Sequence, residues 1–384
     1  MAIPTGAFDV TEAAHLLEVA DGLKGVSELA VDVEADAMHH FNARLCFVQL
    51  GTDADVFLVD TLREQVRVDV LKEVFASPSI TKYFHASQGD LAYLAEAGVR
   101  VSGLFDTHRA VTLLGWPKVG LADLVQELCG ATLKKEHQQA DFSMRPLPVE
   151  LRDYIADDVR YLVEVGRQVR EACVKAEILE EVLLDCERLC DDATVRPDPL
   201  GAFSPKLPKA ELKPEHVALA WHIAQALHRL RLEWAEADDV PTGRMLSNMA
   251  VVAIAVKPPT TSRELARLAG VRGAFVRAHG DQVLEVVRRL GEQARRGELE
   301  ALPERNKDKD PKRKKREEAL LAWRKQVAAE RKVTPSVVLP NLLVEDLART
   351  WPKSRAELEA VPYFGQRRLE RYCDAVLARL REVS

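Results

Sequence analysis

The 384-residue chain is short of several things at once, and each shortage narrows what it can be. Its six cysteines, Cys46, Cys129, Cys173, Cys186, Cys190 and Cys373, are scattered and form no CxxC pair, so neither a disulfide framework nor a redox or zinc motif is written in them. Cys186 and Cys190, four apart on a helix, would make at most half a zinc site, and small buried hydrophobes are the simpler reading. No apolar run approaches the roughly 18 residues of a membrane span, and no basic segment followed by an apolar stretch opens the chain. A cytoplasmic protein without membrane contact is expected. Positive charge is lacking too: the formal net charge is −6, against the basic footprint that phosphate binding leaves. That average hides an asymmetry, because residues 1–195 are rich in Asp and Glu while Lys312 to Arg316 are consecutive basic residues. With 47% hydrophobic residues the chain can bury substantial cores, and its length suits two or three domains.

Short β-rich runs alternate with amphipathic stretches over the first 130 residues, an α/β pattern. Leu29 to Val33, Leu45 to Leu50, Val56 to Val59 and Thr81 to Phe84 read as strands, Val66 to Phe75 and Asp90 to Ala97 as helices. From Leu121 onward the spacing is helical, through Tyr154, Val159, Leu162 and Val163. The Pro-containing stretch Arg196 to Pro214 breaks it and marks a domain boundary. Sliding the remainder on itself by 93 residues reveals an internal repeat. Val240 falls on Val333, Leu246 on Leu339, Pro259 on Pro352, Glu264-Leu265 on Glu357-Leu358, and Asp281 on Asp374. Each copy reads as all-helical, and the charged segment between them as a flexible linker.

Val31-Asp32-Val33-Glu34 places two carboxylates two apart on a strand, hence on one face of the sheet. Paired acids at the end of an apolar strand are costly unless a cation joins them; by themselves they also fit a solvated face. At His85-Ala86-Ser87-Gln88-Gly89-Asp90 a strand ends in His and a helix opens with Asp. Asp90 there fits a first-turn acid as well as a ligand, and His85 fits a strand-end hydrogen-bonding residue as well as a functional one. Tyr154 and Asp158, four apart, share a helix face that Asp157 does not.

Taken in order, Asp32 with Glu34, then Asp90, then Tyr154 with Asp158 resemble the three motifs of the ribonuclease D family, in the tyrosine (DEDDy) branch of the DEDD exonucleases. The segment Leu133 to Leu147 is similar to the family's own between its second and third motifs. Phe142 stands where a tryptophan is usual, and Ala86 where an asparagine often follows the His. The two C-terminal copies resemble the HRDC (helicase and ribonuclease D C-terminal) domain, with Leu230 replacing the usual tryptophan of the first copy and Trp323 keeping it in the second. The resemblance spans nearly the whole chain.

It implies a ribonuclease H-like α/β exonuclease domain over residues 1–200, HRDC domains over 213–294 and 317–384, and a basic linker over 295–316. It implies a 3′-5′ exoribonuclease with two divalent cations, Mg²⁺ or Mn²⁺, held by Asp32, Glu34, Asp90 and Asp158, hard oxygen ligands that suit hard cations. Tyr154, a phenol too weak to act as a base at neutral pH, would aim the water. Lys135, Gln138, Arg145 and His85 are candidates for RNA contact, with ordinary surface or capping roles as the alternative. The expected partner is RNA, tRNA precursors and other structured RNA above all. A DEDD exonuclease acting on DNA in repair and an RNA-binding adaptor are the competing readings, and the intact acids speak against the adaptor. The domain division also predicts that a chain cut after about Arg196 still folds and trims short oligonucleotides.

Overall fold

The computed structural model describes residues 3–4, 6–134, 139–193, 203–208, 212–302, 310 and 312–383. They fall into two compact units: Met1–Ala35 with Leu45–Val195 and Asp308–Ser384, and Asp36–Arg44 with Arg196–Lys307.

The first unit is built on a six-stranded sheet of β1 (Gly6–Val10), β2 (Glu28–Ala35), β3 (Leu45–Gly51), β4 (Asp55–Asp60), β5 (Thr81–Phe84) and β6 (Leu104–Asp106), in the order β1-β4-β3-β2-β5-β6. β3 runs antiparallel to both β2 and β4, while the pairs β1/β4, β2/β5 and β5/β6 are parallel. This is the α/β architecture anticipated from the motifs. The four anticipated strands are present, but β1, β6 and the helix α1 (Ala13–Leu23) were not foreseen. β6 is three residues long, too short to show an alternation.

β2 is central, between β3 and β5. Val31 and Val33 leave one face and are buried, so Asp32 and Glu34 necessarily leave the other. That second face is covered by α6 (Val149–Arg160), which turns Leu151, Ile155 and Val159 inward. The helix rests on the sheet at Gly51, where a Cβ would come within 2.7 Å of the Val159 carbonyl oxygen. A glycine is what lets α6 approach so closely. The helices α2 (Lys72–Ala76), α3 (Gln88–Glu96), α4 (Thr107–Leu114), α5 (Leu121–Cys129), α7 (Leu162–Lys175) and α8 (Leu179–Asp192) complete the sheet domain.

The second copy of the repeat belongs to this same unit. Its helices are α14 (Arg313–Arg331), α15 (Pro335–Val338), α16 (Asn341–Thr350), α17 (Arg355–Glu359) and α18 (Gln366–Arg381). Val337, fully buried, joins the core of the sheet domain rather than that of its own helices. The basic run expected in a solvated linker is instead the start of α14. Arg316 is buried, donates from Nε to the Ala348 carbonyl at 2.9 Å, pairs with Asp310 and lies over the Trp351 ring. Arg313 pairs with Glu317 one turn on, the i,i+4 spacing that makes such a charge run a helix start.

The first copy forms the helical part of the second unit: α9 (Pro214–Ala237), α10 (Thr242–Met245), α11 (Asn248–Val256), α12 (Ser262–Leu265) and α13 (Gly273–Arg296). The 93-residue offset holds in its hydrogen bonds as well as its sequence. Arg231 donates to the Leu246 carbonyl as Arg324 does to that of Leu339, and Thr261 caps α12 as Ser354 caps α17. The tryptophan absent at Leu230 is supplied one turn later by Trp234, which stacks on His279 at 4.3 Å; in the second copy Trp323 meets Tyr372, the counterpart of His279. No described helix is long and apolar enough to cross a membrane.

Candidate active site

The three motifs meet over β2. Carboxylate oxygens of Asp32, Glu34 and Asp158 lie within 4.8 Å of one another, a spacing at which one cation can bridge them. Asp90, in the first turn of α3, stands outside that trio but close enough for the Asp32 charge to raise its pKa further after burial has done so. A cavity of about 410 Å³ opens there, lined by Asp32, Glu34, His85, Lys134, Tyr154 and Asp158.

Burial and mutual repulsion make this site electrostatically unsatisfied. Burial pushes the Asp32 carboxyl up to about 7, offset in part by the Val33 backbone N–H, and burial plus the charges of Asp32, Asp158 and Asp90 pushes Glu34 up to about 10. Asp158 is raised by burial, then by Asp32 and Asp157. Crowded half-buried acids of this kind hold their charges comfortably only beside a cation, so the donor set fits divalent metal. Tyr154 is raised by burial, by Asp158, Glu34 and Asp32, and by its hydrogen bond to Asp158. The phenol therefore stays protonated and acts as a donor.

The second motif is held by a residue that the sequence reading missed. Asp106, at the end of β6, caps α4 through the Arg109 N–H at 3.1 Å. The same carboxylate accepts from the N–H groups of Ala86 and Ser87 at 3.1 and 2.8 Å and from the Ser87 hydroxyl at 2.8 Å. It thereby fixes the turn between His85 and Asp90. An Asp directly before a helical stretch is a capping signal that could have flagged it. At that turn Ala86 has φ 63°, the left-handed region that asparagine and glycine enter more readily than alanine. Ala86→Asn is accordingly expected to raise stability by about 0.5–1 kcal/mol, read as a higher melting temperature with turnover unchanged. A lowered melting temperature would contradict it.

The candidate substrate residues fare unevenly. His85 and Lys134 line the cavity; Lys134 was passed over in favour of its neighbour. Lys135 and Gln138 lie outside the described residues. Arg145 does not line the cavity. Its Nε and Nη2 grip the buried Asp60 at 2.8 and 2.6 Å, Nη1 donates to the carbonyls of Phe142 and Met144, and the guanidinium lies 4.3 Å over the Phe47 ring. Burial alone would raise the Asp60 carboxyl, but Arg145, together with the Leu62 N–H and Arg63, outweighs it and holds the group below its usual range. Arg145 thus has the structural role that the sequence left as its alternative: it pins the segment whose Phe142 stacks on Tyr154 at 6.3 Å. Arg145→Met should cost on the order of 3 kcal/mol, since it strands a buried carboxylate. Loss of RNA affinity at unchanged stability would contradict this role. Cys186 is likewise structural, its buried sulfur accepting from the Asp106 N–H at 3.3 Å, and no metal-binding cluster with cysteine occurs among the described residues.

Comparison with known proteins gives a consistent set of likenesses. Residues 8–188 match the family model described as 3′-5′ exonuclease, and residues 222–287 and 313–380 each match that of the HRDC domain. Ribonuclease D of Gluconacetobacter diazotrophicus is 30% identical over 281 residues, covering 72% of this chain and 70% of that protein. Protein RRP6-like 2 of Arabidopsis thaliana is 29% identical over 301 residues; the chain spans 33% of its length, and 18% of the exosome complex component 10 of Rattus norvegicus. Among solved structures, Escherichia coli RNase D superposes with a TM-score of 0.68 over 97% of this chain and 98% of that one at 23% identity, a likeness of fold.

Proposed function

Because this chain belongs to the ribonuclease D family, we propose that it is a 3′-5′ exoribonuclease that trims RNA 3′ ends, with tRNA precursors and other structured RNAs as its substrates. The observation that carries this reading is the convergence of Asp32, Glu34 and Asp158 with Tyr154 in one cavity. Together with Asp90 these acids are the ligands we assign to two divalent cations, Mg²⁺ or Mn²⁺. When bound, such ions supply Lewis acidity and neutralise charge at the phosphodiester.

The chain's own residues do the rest. Tyr154, protonated and tied to Asp158, orients a water by hydrogen bonding, a positioning role rather than proton abstraction. Lys134, exposed at the cavity edge, offers a cation to the RNA backbone, and Lys135 and Gln138 remain candidates beside it. His85 has a defined tautomer. The Thr107 hydroxyl donates to the Phe84 carbonyl at 2.9 Å, so it accepts from His85 Nδ1–H, also at 2.9 Å. The other ring nitrogen, Nε2, is left as an acceptor. Burial pushes this imidazole down to about 4, so it is neutral during turnover. A neutral acceptor suits a ribose hydroxyl and repels a phosphate oxygen, which favours RNA over DNA.

Side-by-side digestion of a 3′-labelled tRNA precursor and a single-stranded DNA of equal length tests the substrate. Label should leave the RNA at least about tenfold faster, the discrimination of one hydrogen bond worth roughly 1.4 kcal/mol. Equal or faster attack on DNA would transfer the reading to a DNA exonuclease.

A further inference from the structure

Gln49 sits in the middle of β3 and is fully buried. Its register partner on β2 is Asp32, and on β4 it is Leu58. Directly opposed residues of an antiparallel pair leave the same face, so the Gln49 side chain shares the face of Asp32 under α6. Gly51, two residues on and facing the same way, is where α6 touches the sheet through Val159, the neighbour of Asp158. Gln49 does not line the cavity; it lies beside Asp32 on the neighbouring strand.

Neither the Nε2 nor the Oε1 of Gln49 has a hydrogen-bond partner among the described residues. A primary amide sealed in this way costs roughly 1–3 kcal/mol, and methionine would fill the same volume without that cost. Its reach matches one nearby group that needs donors. Opposed Cβ atoms in such a pair are about 4.5–5.5 Å apart, a gap that a glutamine side chain spans to a carboxylate. Metal-ligating carboxylates are themselves held by hydrogen bonds from behind.

We propose that Gln49 is a positioning residue of the cation site: its Nε2–H, unpartnered among the described residues, turns to one Asp32 carboxylate oxygen when that carboxylate takes up a cation, and thereby presents the other oxygen to the cavity. The proposal rests on the cation-binding role assigned above to Asp32. Gln49 touches neither RNA nor the reacting atoms and acts through Asp32 alone.

The test is Mn²⁺ binding by titration calorimetry on the full chain without RNA, for wild type, Gln49→Met and the smaller Gln49→Leu, alongside metal-free melting and steady-state kinetics. The expected result is a metal-free melting temperature for Gln49→Met at or above wild type, Mn²⁺ affinity weakened by about 10–100-fold, and a lower kcat with KM for RNA unchanged. Wild-type Mn²⁺ affinity in both variants would overturn the role of Gln49 while leaving the cation site standing. Failure of the wild type itself to bind Mn²⁺ would overturn the cation site, and the proposal with it.

Discussion

Asp32→Asn is expected to do two opposite things: abolish hydrolysis and stabilise the metal-free fold above neutral pH. Loss of one ligand from a cation site removes several kcal/mol of transition-state stabilisation, at least about a hundredfold in rate. The stability effect follows from the raised pKa of the buried acids. Asp32 stands at about 7 and Glu34 at about 10, against ordinary values of 3.8 and 4.5. Between those limits the folded protein binds more protons than the unfolded chain, so metal-free stability falls as pH rises from about 4 through 7 and, for Glu34, on toward 10. Asparagine at 32 removes one such acid and relieves Glu34, Asp90 and Asp158, each of which the Asp32 charge pushes up. The gain should be near zero at pH 4 and on the order of 2 kcal/mol at pH 8. Thermal melts of both proteins from pH 4 to 9 with chelator present read it directly. Added Mg²⁺ should raise the wild-type melting temperature more than that of the variant. A pH-independent difference, or near-normal turnover by Asp32→Asn in Mg²⁺, would contradict the assignment.

The second large effect reverses an expectation drawn from the sequence. A chain ending near residue 193 should fail to fold as a stable exonuclease, because the second HRDC copy is built into the catalytic body. Val337 is part of the sheet domain's core. Thr334 donates to the Leu113 carbonyl at 2.9 Å, and Glu180 of α8 accepts from the Gln366 and Arg367 N–H groups at 2.8 and 2.9 Å at the start of α18. Arg368 is buried, its Nε and Nη1 spent on the carbonyls of Val338 and Tyr363. Burial lowers its pKa, while Glu181 and Asp185 of α8 raise it. Glu181 is itself buried with no hydrogen-bond partner for either oxygen among the described residues, so its compensation is the Arg368 charge. Arg368→Met should therefore cost about 3–5 kcal/mol, and adding Glu181→Leu should restore much of it, since removing both charges avoids stranding one. Circular dichroism melts of the truncated chain and the two variants decide the matter. A cooperatively melting, active fragment of 193 residues would show that the interface is dispensable.

This dependence bears on chemistry, because α8 also supports the second motif. Cys186, next to Asp185 on α8, accepts from the Asp106 N–H, and Asp106 fixes the turn that carries Asp90. Disturbing the HRDC contact is thus expected to disturb Asp90, one of the carboxylates proposed above to hold the cations.

What could be read in the sequence was whatever periodicity fixes. Two residues on a strand put Asp32 and Glu34 on one face, and four on a helix put Tyr154 with Asp158; the fold then had only to bring those faces together. The repeat was legible because its two copies keep the same caps and the same arginine contacts at a constant offset. Other features depend on distant partners. Arg145 reads as a surface cation until Asp60, 85 positions away, is seen beneath it. Arg316 sits in a charge run yet is buried against Ala348 and Trp351. Val337 fits an amphipathic helix equally well whichever core it enters, and Gln49 carries no local pattern at all.

Hydrolysis of a single RNA labelled at its 5′ end in one sample and its 3′ end in another, by wild type and Asp32→Asn with Mg²⁺ or with chelator, tests the central claim most directly. The account predicts immediate release of the 3′ label as mononucleotide, a descending ladder from the 5′ label, and neither product with Asp32→Asn or with chelator. Release from the 5′ end, internal cuts, or full activity in chelator would contradict it.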